Sequence, residues 1–198
     1  MISTDAWSLT DLGADILLFE QLLNSSLCNH ILQVADCCQF QKAGIETGTI
    51  KTQVRSNESL YLGETNSLLQ STNQLLLNQI YIIQETLYQN YRVRFSQIET
   101  CSILRYRPGQ FYKRHVDNLL LASRRDEAIQ GIPTRDVSIV GYLNDDFAGG
   151  ETFFDRQNLK FKPQKGSVLV FPSYYTHPHQ SLPVIQGCKY AFTSWLFH

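Results

Sequence analysis

The hydrophobic period of the chain changes once, near residue 93, and that change bounds the fold more tightly than any other feature. Upstream, apolar residues recur at helical spacing. The segment NSLLQSTNQLLLNQIYIIQETLYQNY reads as one long helix, with Leu68, Leu69, Leu75, Leu76, Ile80, Ile83 and Leu87 on its apolar side. Before it, LLFEQLLNSSLCNHILQVADCC starts extended. It then offers Asn24, Ser25 or Ser26 as a helix N-cap ahead of Leu27, Ile31, Leu32 and Val34. Between the two, KAGIETGTIKTQVRSNESLYLG is polar and punctuated by glycine, which predicts short strands and loops. Downstream the period is two. RFSQIETCSILRY, RDVSIVGYLN, GSVLVFPS and CKYAFTSWLF all carry the β-branched and aromatic residues of strands. Turn residues separate them at Pro108-Gly109, Asn144-Asp145 and Gly149-Gly150, and again within 163–166 and 183–187. Short strands at this spacing predict a small barrel or sandwich, with the helices packed on one outer face. The expected class is mainly β with flanking helices (α+β). Residues 1–92 are read as a helix-rich supporting layer and 93–198 as the β core of a single domain. The stretch 119–136 is the one long irregular insertion, a candidate lid or substrate loop.

Composition excludes some partners. Charged residues are 18% of the chain, the formal net charge is −1 and the pI is about 6.5. Such a balance exerts no long-range pull on nucleic acid or anionic lipid. No apolar run approaches the ~18 residues that span a bilayer. The first residues, MISTDAWSLT, lack a basic segment followed by an apolar one. The expectation is a soluble cytoplasmic protein with neither a nucleic-acid nor a membrane partner. Cys28, Cys37, Cys38, Cys101 and Cys188 are odd in number and share no repeated spacing, so they are expected to be reduced and mostly buried thiols.

His115 and Asp117, in LRYRPGQFYKRHVDN, are two residues apart. On a strand, such a pair projects from one face, and an imidazole with a carboxylate suits a first-row divalent metal. On this pair alone a strand-edge ion pair is an equal reading. His177 and His179, in YYTHPHQSLP, supply a third ligand; they share parity, so either can point inward. Two histidines and one carboxylate occupy one face of an octahedron and leave the other open, as a non-haem iron oxygenase requires. A closed four-ligand zinc site leaves no such opening.

YRPGQFYKRHVD, YLNDDFAGGETFF, KPQKGSVLVFP and HQSLPVIQGCKYAFTSW follow one another in this order. Together they resemble the successive motifs of the prolyl 4-hydroxylase-like Fe(II)/2-oxoglutarate dioxygenases, over roughly residues 100–197. The resemblance implies a double-stranded β-helix of jelly-roll or cupin-like type with iron in its mouth. It implies His115, Asp117 and His179 as the metal ligands, the last because Pro183-Val184, Gly187 and Lys189 follow it in the family's phase. His177 becomes a neighbour. Lys189, in a strand apolar on both faces, is costly to bury without a partner. The resemblance pairs it with the far carboxylate of 2-oxoglutarate, and it places the hydroxyls of Tyr106 and Ser138 beside that carboxylate. Ser138 departs from the more usual threonine. Cofactors and cosubstrates implied are Fe(II), 2-oxoglutarate and dioxygen, with ascorbate as an auxiliary. The implied reaction hydroxylates an aliphatic C–H of a prolyl or other amino-acid substrate, peptidyl, free or carrier-bound, and yields succinate and carbon dioxide.

Other features read as structural. Gly149-Gly150-Glu151-Thr152 is a tight turn into a strand. Trp195 packs in the barrel, and Arg55 is a solvated arginine within the 51–62 region where, with 119–136, selectivity is expected. His30 and His198 are an ordinary helix residue and a chain end. Two rival functions use the same three ligands: a non-catalytic cupin-like metal-binding module, and a zinc hydrolase with metal-bound water as nucleophile. Neither needs an inward lysine ten residues past the last ligand.

Overall fold

Two facing sheets are generated by a chain that changes sheet at almost every turn. The computed structural model describes residues 7–43, 53–118, 129 and 134–198. From residue 102 the chain runs β6 (Ser102–Tyr106), β7 (Tyr112–His115), β8 (Val137–Tyr142), the short β9 (Ala148–Gly149), β10 (Thr152–Phe154) and β11 (Leu159–Phe161). It continues through β12 (Val168–Pro172), β13 (His179–Ser181), β14 (Val184–Gln186) and β15 (Lys189–Phe197). Strands β12, β8, β15 and β6 lie side by side in the major sheet, and β11, β10, β13 and β7 form the minor one. The pairs are antiparallel; the steps β6 to β7, β7 to β8, β11 to β12 and β12 to β13 cross from one sheet to the other, while β10 and β11 form a hairpin within the minor sheet. This is the double-stranded β-helix.

The first half of the chain supplies more than a helical layer. β1 (Ser8–Asp11) and β2 (Leu17–Glu20) extend the major sheet beyond β12, while β3 (Gln41–Lys42) and β4 (Glu58–Tyr61) extend it beyond β6. β5 (Gln97–Ile98) pairs with the end of β15, so RFSQIETCSILRY is two strands broken at residues 99–101. The helices are α1 (Ser25–Asp36), capped by the Asn24 side chain on the Leu27 N–H at 2.8 Å, and α2 (Ser67–Tyr91), capped by Asn66. Neither is long and apolar enough to cross a membrane.

Alternation along β12 divides the core. Val168 and Val170 pack with the helices, while Leu169 and Phe171 fill the space between the sheets. A strand covered on both faces has no solvent side, hence the unbroken apolar run. Helix α2 buries Leu69, Thr72, Leu76, Ile80, Ile83 and Leu87. Leu68 and Leu75, expected on the apolar side, are 41% and 39% exposed. Thr72 takes a place in the stripe instead, since its hydroxyl donates back to the Leu68 carbonyl at 2.8 Å and so is not left unpaired. The cysteines are all free, but only Cys28 and Cys101 are buried, and Cys37 is exposed, which corrects the expectation of mostly buried thiols. The expected lid at 119–136 falls largely outside the described residues.

Candidate metal centre

The mouth of the barrel is set by one register pair. β13 pairs with β7 so that His179 lies opposite His115. Their imidazole centroids are 4.3 Å apart. Asp117 is not on the strand: β7 ends at His115, and the chain bends through residues 117 and 118. The expected strand pleat is therefore not what aims the carboxylate. The bend carries it back, leaving Oδ1 at 3.3 Å from Nε2 of His115 and 3.7 Å from Nε2 of His179. All three donor atoms lie within 4.8 Å of one another.

Hydrogen bonds on the far sides of the rings decide what faces the centre. Nδ1 of His115 meets the Lys113 carbonyl at 2.8 Å, and Nδ1 of His179 meets the His177 carbonyl at 3.1 Å. A carbonyl only accepts, so each Nδ1 carries the proton, and Nε2 of the neutral ring presents a lone pair. Burial pushes the His179 ring down to about 4, which keeps it neutral at physiological pH. Burial works against the charge on Asp117; imidazoles that carry a second proton beside it, together with the Ser138 hydroxyl, outweigh that burial and hold the carboxyl well below the usual range. Two imidazole nitrogens and a carboxylate oxygen thus face one point, and the N,O donor set fits iron. Phe154 and Phe171 hold the His179 ring from two sides, and Tyr112 stacks on His115 at 3.5 Å.

His177 does not compete for this place. It sits in a turn before β13, so the parity it shares with His179 has no strand to act on. Its ring bridges the Thr176 hydroxyl and the Ala14 carbonyl, fastening the turn between β1 and β2.

A cavity of about 350 Å³ opens from the three donors toward Lys189. Lys189 is 2% exposed and donates to the Gly150 carbonyl at 2.7 Å and to the Ser181 hydroxyl at 3.0 Å. Burial pulls its amine down to about 7, against the pull of Glu151. Among the described residues no carboxylate forms an ion pair with it. Gly150 and Gly149 have φ of +67° and +75°, which lets the Gly149-Gly150 turn bring a carbonyl to the amine. Tyr106 is the register partner of Lys189, with its ring 5.1 Å from the amine and its phenol pushed up to about 12 by burial.

The structure moves Ser138 away from the role expected of it. Its hydroxyl lies 2.7 Å from Oδ2 of Asp117, because β8 places residue 138 beneath the metal-facing bend and not at the lysine end. Ser181, two residues past His179 on the same face of β13, is the hydroxyl bonded to Lys189; the i, i+2 spacing was the signal that would have found it. Trp195 is more than packing, since its Nε1 donates to Oδ2 of Asp117 at 3.1 Å and it lines the cavity. Arg55 is not a solvated arginine: it lines the cavity with its guanidinium 4.6 Å over Tyr112. Arg135, unmarked by any motif, stacks on Trp195 at 3.6 Å and pairs with Glu99.

Comparison with known proteins bears on this geometry. The model of the 2OG-Fe(II) oxygenase superfamily matches residues 101–197. A protein described as a putative prolyl 4-hydroxylase from Acanthamoeba polyphaga mimivirus is 28% identical over 187 residues, 90% of this chain and 72% of that protein. A PKHD-type hydroxylase from Idiomarina loihiensis is 25% identical over 91% of this chain and 77% of its own. Among solved structures, a Trichoplax adhaerens prolyl hydroxylase in complex with a hypoxia inducible factor peptide superposes with a TM-score of 0.76. It is 20% identical, over 92% of this chain and 83% of that one. A viral collagen prolyl hydroxylase from Paramecium bursaria Chlorella virus-1, in a 2OG complex, gives 0.66 at 22% identity, over 93% and 96%. These two structural likenesses speak to the fold.

Proposed function

This chain belongs to the 2OG-Fe(II) oxygenase superfamily, and from that premise we propose that it hydroxylates an aliphatic C–H of a prolyl or other amino-acid residue, coupled to oxidative decarboxylation of 2-oxoglutarate to succinate and carbon dioxide. The observation that carries the proposal is a cluster of three candidate metal donors sharing one cavity with a buried amine. His115, Asp117 and His179 would hold the iron. Iron bound there supplies the activation of dioxygen that drives the keto acid's decarboxylation and the oxidation of the C–H bond.

The protein's own contribution is placement. Lys189 has three protons, and the two neutral acceptors leave one for the distal carboxylate of the keto acid. Tyr106 and Ser181 would flank that carboxylate, Ser181 replacing Ser138 in the expected set. Ala191 and Val140 give the intervening wall an apolar surface, which excludes water from the reacting end. Trp195, backed on one side by Arg135, offers an aromatic face to a ring at the cavity mouth, while Tyr112 is held between the His115 ring and Arg55. That lining, and the prolyl hydroxylases among the relatives, favour a peptidyl proline over a free or carrier-bound amino acid. The whole chain is read as one catalytic domain, with the first 92 residues completing and backing its major sheet.

A zinc hydrolase or a non-catalytic binding module would leave the buried Lys189 amine without a task. The test is incubation of the full chain with Fe(II), 2-oxoglutarate, ascorbate and a panel of proline peptides and free amino acids. Succinate should appear only when iron and 2-oxoglutarate are both present, and one panel member should gain a single oxygen by mass spectrometry. Absence of succinate throughout would overturn the assignment.

A further inference from the structure

The carboxylate of Asp117 has two oxygens in unlike surroundings. Oδ1 faces the two imidazoles. Oδ2 faces the Ser138 hydroxyl at 2.7 Å and the Trp195 indole N–H at 3.1 Å. Behind Ser138, at 2.7 Å, lies the hydroxyl of Ser173. Both serines are essentially fully buried, and neither lines the cavity. They come together because β12 and β8 pair with Pro172 opposite Val137, and the Ser173 N–H then bonds the Asp136 carbonyl at 3.0 Å.

Proton counting gives the chain of hydroxyls a direction. An ionised carboxylate only accepts, so Ser138 must donate to Oδ2. A hydroxyl has one proton, and that of Ser138 is then spent. The contact with Ser173 therefore has Ser173 as donor. Indole N–H can only donate, so Oδ2 receives two hydrogen bonds while Oδ1 receives none from these groups.

We propose that Ser173 and Ser138 form a one-way hydroxyl relay that, with Trp195, engages Oδ2 and presents Asp117 to the metal through Oδ1 alone. Ser173 is a positioning residue, acting through Ser138. Its donation polarises the Ser138 O–H, which strengthens the bond to Oδ2, and it holds the Ser138 side chain in the orientation that makes that bond. Ligation by one carboxylate oxygen leaves a coordination position that a two-oxygen mode would fill. The Ser173 carbonyl also accepts the Asn118 N–H at 2.9 Å, so the segment after β12 holds the Asp117 bend from its backbone as well.

This inference rests on the metal reading above, and the experiment separates the two. Metal-free full-length protein is titrated with Co(II), followed by calorimetry and by visible absorption, which responds to coordination number. His115→Ala tests the site: if it binds Co(II) as the parent does, the metal reading itself falls. With the site established, Ser138→Ala should weaken binding by about 10–100-fold and lower the visible intensity as the carboxylate turns to two-oxygen ligation. Ser173→Ala should move both readouts the same way by a smaller factor, on the order of 3–10-fold. Ser173→Cys, which keeps the side-chain shape with a larger, weakly donating atom, should match it. Ser138→Thr keeps the hydroxyl and should retain the parent affinity and spectrum. In the double variant Ser138→Ala/Ser173→Ala the loss should equal that of Ser138→Ala alone, because Ser173 acts only through Ser138. Parent-like affinity and spectrum in both Ser173 variants would overturn the relay, and so would full additivity in the double variant.

Discussion

Lys189 is the residue whose chemistry is most exposed to test. Its amine is buried among neutral acceptors, and that burial pulls it to about 7 when no carboxylate is bound. Only a protonated Lys189 would pair with the keto acid, and that pairing would raise its proton affinity. The apparent KM for 2-oxoglutarate should therefore rise with pH above about 7, approaching ~10-fold per pH unit, with proton uptake on binding measurable by buffer-dependent calorimetry. A KM that stays flat across that range would place the charged partner elsewhere. Lys189→Ala should raise the same KM by roughly 10-fold or more, the worth of a charge-assisted hydrogen bond, and leave Co(II) affinity nearly unchanged. His115→Ala and Asp117→Ala should each lower succinate formation by more than ~100-fold, beyond the loss typical of outer groups.

At the scale of the element, α2 separates what an apolar pattern predicts from what packing selects. Leu76 and Leu75 are adjacent and both look like core residues in the sequence, yet Leu76 is fully buried and Leu75 is 39% exposed. Leu76→Ala should cost about 2–5 kcal/mol, through lost burial and the cavity it leaves. Leu75→Ala should stay within about 0.5 kcal/mol. Urea unfolding of the two variants checks both, and equal losses would mean the helix is rotated on the sheet. The strands show a complementary lesson. CKYAFTSWLF reads as a strand from composition alone, and it is one, but nothing in it says that Lys189 will lie opposite Tyr106. The β6 partner strand is set 83 residues upstream by the sheet order, as the register pairs Lys189 with Tyr106.

For the molecule as a whole, the metal and the keto acid would brace the two sheets across the barrel mouth. β7 and β13 carry His115 and His179 in the minor sheet, and β15 carries Lys189 in the major one. A ligand bound only by the folded state stabilises it by mass action, about 2.7 kcal/mol at a hundred times Kd. Co(II) with 2-oxoglutarate under anaerobic conditions should accordingly raise Tm by roughly 5–10 °C for a chain of this size. A chelator should reverse the shift, and Asp117→Ala should abolish it; thermal scans that show the same rise in that variant would mean the ligands bind elsewhere.

The sequence by itself determined the class of fold, the two helices, the turn at Gly149-Gly150 and the candidate set His115, Asp117, His179 and Lys189, because periodicity, turn residues and ordered motifs are local properties of a chain. Tertiary structure alone decided that His177 faces Ala14, that Ser138 serves Asp117 and Ser181 serves Lys189, and that Arg55 and Arg135 stack at the cavity. Each of those depends on which strand lies beside which, and in what register. Pairings between residues tens of positions apart are fixed by the packing of whole sheets, and one residue of slip would send every side chain to the opposite face.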